Sequence, residues 1–432
     1  MVTQRPDGPV RHVVVVGAGQ AGSDTAAQLR AQGYAGRLTL VGDEGTPPYA
    51  RPPLSKTHLA AAPPEGYELR PASFYPGQDI ALLTGDPARS LDRPRRLVRL
   101  DSGRQLPYDR LVLATGAAAR TLPVPGAGLG QVRVLRTLAD ADALRTALGG
   151  ARRLLVVGGG FLGLEIASSA CARGVDVTVL ESAPRLLPRA VGHRVSRQLA
   201  QLHRDNGVRV LTARRLSALH GDRDGRVCAA ELDGGERLDT DLVVVAVGAV
   251  PRTRLAAQAA LPVADGVLVD GSLRTADPAV HAVGDCARFP GAGLGATLRL
   301  ESVQNAAGHA RHVAAAVLGS REAYRAVPWF WTEQHGLRLQ IAGTADGHDR
   351  TVLIGDPDAG RFSVLSFAAG RLLAAESVNR PADHMIARKL LAEGGGGLDP
   401  QDAARPGFDL KEHSARTARA RDRTPRTEGI SA

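Results

Sequence analysis

Residues 13–22 read Val-Val-Val-Val-Gly-Ala-Gly-Gln-Ala-Gly. Four β-branched residues in a row mark a strand buried on both faces. Gly17, Gly19 and Gly22 then complete G-x-G-x-x-G as the chain turns into a helix through Gln20 and Ala21. Each glycine answers a need for close approach. Gly17 allows the tight turn, Gly19 lets backbone come up against a pyrophosphate, and Gly22 lets helix and strand pack closely. The phosphates then sit on the amides of a helix N-terminus. Asp43, directly beyond Leu38-Thr39-Leu40-Val41, stands where an acid takes ribose hydroxyls. Strand, loop, helix, strand and acid in that order make a dinucleotide site, and these residues alone leave open which dinucleotide.

The unit recurs. Leu154-Leu155-Val156-Val157 leads into Gly158-Gly159-Gly160-Phe161-Leu162-Gly163, a helix follows through Glu165 to Arg173, and Val177-Thr178-Val179-Leu180 ends in Glu181. Each copy has a later strand closing on glycine: Leu111 to Ala114-Thr115-Gly116 for the first, Leu242 to Gly248 for the second. Ala279 to Asp285 reads as one more buried strand with Gly284-Asp285 at its carboxyl end, where ligands of open α/β sheets bind, and it is expected to rejoin the first sheet. The fold class is therefore α/β, with two Rossmann-like domains, the second inserted in the first. From Pro328 the texture changes to short strand-like runs (Leu337–Ile341, Thr351–Ile354, Phe362–Phe367) and a helix near Asp383 to Leu391, a small α+β domain. The expected boundaries are 1–119 and 251–327 for the first nucleotide domain, 120–250 for the second, 328–412 for the α+β domain and 413–432 for a disordered basic tail. Thr137 with Asp140 three residues on is a capping signature for the first helix of the inserted domain.

A chain of 432 residues, 44% apolar and 23% charged, suits a multidomain globular protein. It holds no run of about 18 apolar residues, and residues 1–11 lack the apolar core of a secretory signal, so the expected compartment is the cytoplasm, without membrane attachment. Cys171, Cys228 and Cys286 lie far apart, which fits a reducing compartment. Cys171 and Cys228 read as small core residues, and Cys286 as structural. The net charge of +10 calls for an acidic partner. Nucleic acid is disfavoured, because aromatics are only 3% and no basic stretch is interleaved with stacking rings. His309 and His312 have helical spacing but no accompanying constellation, so no metal is expected.

Tyr49-Ala50-Arg51-Pro52-Pro53-Leu54-Ser55-Lys56 follows the first acid. Of the 54 basic residues only Lys56, Lys389 and Lys411 are lysine. Lys56 is thus alone in the two nucleotide domains, and an ammonium can be buried where a guanidinium fork does not fit.

Taken in order, Arg-Pro-Pro-Leu-Ser-Lys, Ala-Thr-Gly, Gly-Gly-Gly-Phe-Leu-Gly-Leu-Glu, Val-Gly-Asp-Cys-Ala, Arg-Leu-Glu-Ser-Val-Gln-Asn-Ala and Pro-Trp-Phe-Trp-Thr-Glu-Gln resemble the FAD-dependent ferredoxin reductases. These are the electron-entry flavoproteins of bacterial cytochrome P450 and ring-hydroxylating dioxygenase systems, with putidaredoxin and rubredoxin reductases among them. The resemblance runs from Arg11 to about Glu412. It implies that the first unit holds FAD through Gly17, Gly19, Gln20, Ala21, Gly22 and Asp43, aided by Arg51, Lys56, Ala114, Thr115, Gly116, Arg120, Gly284, Asp285, Val303 and Trp331. Asp285 would meet the ribityl chain, and the Val303 amide the pyrimidine edge. NAD would sit on Gly158, Gly160, Phe161, Leu162, Gly163, Glu165, Glu181, Gly248 and Glu301. Lys56 would lie beside the flavin, paired with Glu165 as the catalytic couple; alternatively, Glu165 is an ordinary first-turn helix acid. Trp329 and Trp331 would line the flavin or the docking face, or be core aromatics.

An acid at Glu181 accepts the ribose hydroxyls of NADH and repels the 2′-phosphate of NADPH, although Arg185 and Arg189 are near enough to offset it. Arg252 stands where relatives often carry asparagine. Disulfide reductases of this architecture place a cysteine pair in the segment occupied here by Arg51 to Lys56, and this chain has none there. With no thiol relay, the flavin faces a one-electron acceptor, a small acidic iron–sulfur ferredoxin. The rivals are an NAD(P)H oxidase or quinone reductase on the same fold, and a redox-sensing interaction protein like the apoptosis-inducing factors.

Overall fold

The structure is a computed structural model describing residues 10–62, 66–291 and 297–423. Chain contacts divide it into two compact units, Met1–Thr178 with Arg215–Ala326, and Val179–Arg214 with Val327–Ala432.

In the first unit the Val13–Val16 run is the middle of a five-stranded parallel sheet. The order is Val280–Ala282, Arg110–Leu113, His12–Val16, Arg37–Val41, Ile80–Leu83. Both faces are covered, which is why the run does not alternate. Val13 and Val15 pack with Leu29, Val313 and Val317 beneath the helices Gln20–Ala31 and Val303–Val317. Val14 and Val16 pack on the other side with Leu91, Val98 and Leu113. The strand Val280–Ala282 does rejoin this sheet, parallel to Arg110–Leu113. In the second copy Arg153–Val157 pairs parallel with Leu242–Val245, which pairs with Val132–Arg133. The chain leaves the first sheet along Ala117–Ala119 and returns along Ala249–Pro251, and these two strands pair antiparallel. Insertion of one βαβ unit in the other thus costs only a two-stranded connection. Thr137 caps the helix Leu138–Gly150 in a full capping box with Asp140.

In the second unit a five-stranded antiparallel sheet runs in the order Trp329–Gln334, Leu337–Gly343, Arg371–Val378, Arg361–Ala368, Arg350–Asp356. The helix Pro381–Ala392 supplies Ala387 and Leu390 to a core with Phe367, Leu365 and Ala375. Two of these strands went unrecognised in the sequence. Arg371–Val378 carries alanines and a buried glutamate where a strand pattern calls for β-branched residues. The expected tail is also corrected in part: Leu410–Arg423 is helical, started by Asp409, whose side chain accepts from the amides of Lys411 and Glu412, and Leu410 is fully buried. Residues 424–432 lie outside the described residues.

Glu376 explains that buried acid. It is 2% exposed and accepts from the Gly192 amide at 2.8 Å, at the start of the helix His193–Asp205. Burial pushes its carboxyl up to about 7 from 4.5, against the Gly192 hydrogen bond and the charges of Arg185 and His348. The folded state therefore binds this proton more readily than the unfolded chain does, and ionising the group costs stability. His203 and His384, pushed down to about 4 by burial, act in the opposite sense below 6.5. Glu376→Gln keeps the acceptor and removes the charge. Compared with the parent protein by urea unfolding, it should be increasingly stabilising as pH rises from 4.5 past 7. The histidine contributions cancel in that difference; a pH-independent difference would contradict the assignment.

Candidate active site

The turn Pro52–Ser55 is a short 3-10 helix, started by two prolines that preset φ, and the chain breaks at Lys56 before a second 3-10 turn, Thr57–Leu59. That break sends the Lys56 ammonium toward the helix Phe161–Cys171. There it meets Glu165 Oε2 at 2.7 Å, with side chains 22% and 7% exposed. Ser55 Oγ donates to the same oxygen at 2.5 Å, and Lys56 Nζ also reaches the Pro52 carbonyl at 3.3 Å. Glu165 begins the second turn of a helix whose first residue follows Gly160, so the second glycine loop and the Lys56 turn are joined through one carboxylate.

A second cluster gathers at the carboxyl ends of the first sheet. Asp285 accepts from Arg136 Nη2 at 2.8 Å, and its carbonyl from Arg299 at 3.3 Å. Arg51 pairs with Glu44 at 2.7 Å and donates to the Arg136 carbonyl and the Tyr49 hydroxyl. Burial, opposed by Arg51 and aided by Glu44, pushes the Tyr49 hydroxyl up to about 12, so it stays a donor to Glu44 while accepting from the Leu138 amide. Gly284, at φ +70°, lies against Ala21 and donates its amide to His309 Nδ1 at 3.1 Å. His309, pushed down to about 3 by burial, is neutral and can accept. This contact holds the Gly284-Asp285 turn at the N-terminal end of the first helix. Val303 is the first residue of its helix, with Ser302 capping through the Asn305 amide.

Other expected residues stand as follows. Asp43 is paired with Arg252 at 2.5 Å, and the Arg252 carbonyl accepts from Thr115 Oγ1 at 2.7 Å. Glu301 is paired with Arg299 at 2.5 Å, and Arg299 also reaches Asp265 at 3.1 Å. Arg120 is exposed, and its backbone amide bonds the Gly248 carbonyl. Glu181 and Trp331 belong to the second unit. Glu181 Oε1 accepts from the Ala183 amide at 2.8 Å, and Trp331 is half-buried with its ring 6.1 Å from that of Trp329. Arg185 is committed to the carbonyls of Val191 and Pro188, at 2.7 and 2.8 Å. Cys228, expected in a core, is exposed, because a three-stranded sheet, Leu216–Gly221, Val227–Leu232 and Arg237–Asp239, leaves alternate residues outward.

The pyridine nucleotide-disulphide oxidoreductase model matches residues 11–310, and the reductase C-terminal model matches 329–414. The chain belongs to the pyridine nucleotide-disulphide oxidoreductase family. Among its relatives are rhodocoxin reductase of Rhodococcus erythropolis, 44% identical over 94% of both chains, and putidaredoxin reductase of Pseudomonas putida, 39% identical over 88% of this chain and 92% of that one. The ferredoxin reductase of the CYP199A2 system from Rhodopseudomonas palustris superposes with a TM-score of 0.90 at 42% identity, covering 93% of this chain and 99% of that one. The reductase in a covalent putidaredoxin reductase–putidaredoxin complex superposes with 0.91 at 38%, covering 94% and 99%. The expected resemblance to ferredoxin reductases is thereby borne out, and membership makes FAD and NAD(H) the cofactors.

The glycine loops fit those cofactors. A Cβ on Gly17 would lie 2.1 Å from the Ala114 carbonyl oxygen, and one on Gly158 would lie 2.4 Å from that of Ala246, so both loops are pressed onto the neighbouring strand's end. Gly19 and Gly160, by contrast, have nothing within 4 Å of that position and offer no side chain as helix caps. Backbone amides at open helix starts are the donor set a pyrophosphate requires. Reading motifs singly missed Glu44, Tyr49, Arg136, Arg299 and the role of His309. The signal within reach was Tyr49 and Arg51 alternating just before the two prolines.

The two kinds of glycine predict two phenotypes. Gly163→Ala puts a methyl 2.0 Å from the Gly158 carbonyl oxygen and should lower the melting temperature. Gly160→Ala meets only open space in the free protein, so it should melt normally yet bind NADH at least about tenfold more weakly. Calorimetry paired with NADH titration checks both, and normal NADH affinity in Gly160→Ala would remove this loop from the site.

Proposed function

We propose that this protein is a cytoplasmic NADH-dependent ferredoxin reductase that supplies a small acidic iron–sulfur ferredoxin serving a cytochrome P450 or ring-hydroxylating oxygenase. The observation that carries the reading is the pairing of buried Glu165 with half-buried Lys56, in the turn where disulfide reductases keep their cysteines. FAD held by the first glycine loop would supply a hydride acceptor for NADH and a donor of single electrons to two ferredoxins, with release of one proton.

The chain's own residues hold and orient. The first glycine loop, from Gly17 to Gly22, and the amide of Val303 hold FAD at its pyrophosphate and pyrimidine ends. The Asp285–Arg136 pair orients the ribityl chain, with Arg51 fixing Arg136 through its carbonyl. Ala114, Thr115 and Gly116 form the floor. Asp43, with Arg252 neutralising it, faces the adenosine ribose. Lys56, paired with Glu165 at 2.7 Å, places a positive charge at the reacting edge, where it favours transfer of negative charge to the ring. Gly158 to Gly163 and Gly248 hold NADH, Glu301 faces its carboxamide, and Glu181 takes its adenosine ribose. The engagement of Arg185 with two carbonyls favours NADH, since that guanidinium is not left to meet a 2′-phosphate. Residues 1–119 and 251–327 form the FAD domain, 120–250 the NAD domain and 328–412 a domain that helps dock the ferredoxin. Trp329 lies under Arg388, whose guanidinium is 4.3 Å from its ring centroid, and Trp331 presents its ring beside it. The net charge of +10 steers an acidic partner. A ferredoxin–NAD(P)⁺ reductase of Sphingomonas among the relatives and the putidaredoxin reductase–putidaredoxin complex support the same reading.

Lys56→Met should slow single-turnover flavin reduction by NADH about 10- to 100-fold while FAD stays bound; an unchanged rate would sink the assignment. Glu181→Ala should narrow the kcat/KM preference for NADH over NADPH, and an unaltered ratio would mean the ribose contact is elsewhere. NADH-dependent cytochrome c reduction should require added ferredoxin and fall as salt rises. Oxygen or quinone turnover equal to the ferredoxin-dependent rate would instead favour an oxidase or quinone reductase.

A further inference from the structure

Glu165 Oε2 carries two donors, and only one of them is the lysine. Ser55 Oγ sits at 2.5 Å from it, closer than the ammonium at 2.7 Å, and Ser55 is 3% exposed. Neighbouring residues seldom reach one atom. Here they do because the first 3-10 turn ends at Ser55 and the chain bends at Lys56 (φ −121°, ψ −105°) before the next turn begins. Ser55 is itself fixed from behind. Its carbonyl accepts from Ser169 Oγ at 2.8 Å, and Ser169 stands one helical turn beyond Glu165 on the same face of Phe161–Cys171. The helix thus grips Ser55 by its backbone and presents Glu165 to its hydroxyl.

A lysine on a four-carbon stem cannot set its own position. Its rotamer freedom is large, and a lone ion pair tolerates many geometries. The serine hydroxyl on a short, backbone-fixed side chain has no such freedom. It decides which way the carboxylate faces, and the carboxylate then decides where the ammonium rests. We infer that Ser55 is a positioning residue for flavin reduction, acting through Glu165 to fix the Lys56 ammonium. The inference rests on the role proposed above for Lys56.

The test is anaerobic stopped-flow reduction of the FAD-loaded enzyme by saturating NADH, run on Ser55→Ala, Lys56→Met, the double variant and Ser55→Thr. FAD content and melting temperature are measured on each. Ser55→Ala should retain FAD and its melting temperature, leave the NADH concentration giving half-maximal rate within about twofold, and lower the limiting rate about five- to tenfold. Ser55→Thr, which restores the hydroxyl, should recover most of that rate. Added to Lys56→Met, Ser55→Ala should cost almost nothing more, because its effect runs through the missing ammonium. A parent-like limiting rate in Ser55→Ala, with Lys56→Met slow, overturns the inference alone. Losses that multiply in the double variant overturn it too, since they make Ser55 independent of Lys56. An unchanged rate in Lys56→Met overturns the underlying reading of the lysine, and the inference with it.

Discussion

The pair between half-buried Lys56 and buried Glu165 is the constraint to which the first unit is fitted. Taking an ammonium and a carboxylate out of water costs several kcal/mol, and a well-packed apolar pair would hold the same elements together as well or better. A fold seeking only stability has no use for it. Its cost is contained by satisfaction: Glu165 Oε2 has donors at 2.5 and 2.7 Å, and the lysine has a carbonyl besides. Both prolines before Ser55, the bend at Lys56 and the placement of Glu165 one turn past the second glycine loop serve that geometry. The two nucleotide loops belong to distinct βαβ units, joined by the paired strands Ala117–Ala119 and Ala249–Pro251 and by the contacts of Arg136 with Asp285 and Arg51. The ion pair gives them a common chemical point.

Much of this was legible in the sequence because its signals are local. Val13–Val16 and Leu154–Val157 lack alternation, and strands so written must be buried on both faces. Thr137 and Asp140 announce a cap, and the structure has it. The return of Val280–Ala282 to the first sheet was legible from a buried run ending in Gly284-Asp285. What escaped was set by distant partners. Arg136 has no motif around it, and its meaning comes from Asp285, 149 positions away. Arg51 matters because the backbone of Arg136 is within its reach, not because of its neighbours. The strand Arg371–Val378 was invisible because it holds a glutamate in its interior, and only the start of the helix His193–Asp205 makes that acid tolerable. Residues 413–423 read as part of a basic tail, yet alanine and arginine are good helix formers once Asp409 supplies a start.

The chain's preference for arginine sharpens the rest. Guanidinium groups serve here wherever a fork of donors meets carboxylates and carbonyls, as at Arg51, Arg136, Arg185 and Arg299. In the first unit the one lysine is Lys56. The arginines brace one another's surroundings, and the lysine is paired with Glu165.

The central claim is that two electrons taken together from NADH leave singly to an iron–sulfur protein. Its most direct test is to reduce the enzyme anaerobically with one equivalent of NADH and mix it rapidly with excess oxidised [2Fe–2S] ferredoxin, following flavin and iron–sulfur absorbance together. The account predicts two ferredoxins reduced per flavin reoxidised, at a rate that falls as salt is raised. Flavin that stays reduced in the presence of acidic ferredoxins, yet reoxidises promptly with quinone or oxygen, would contradict it.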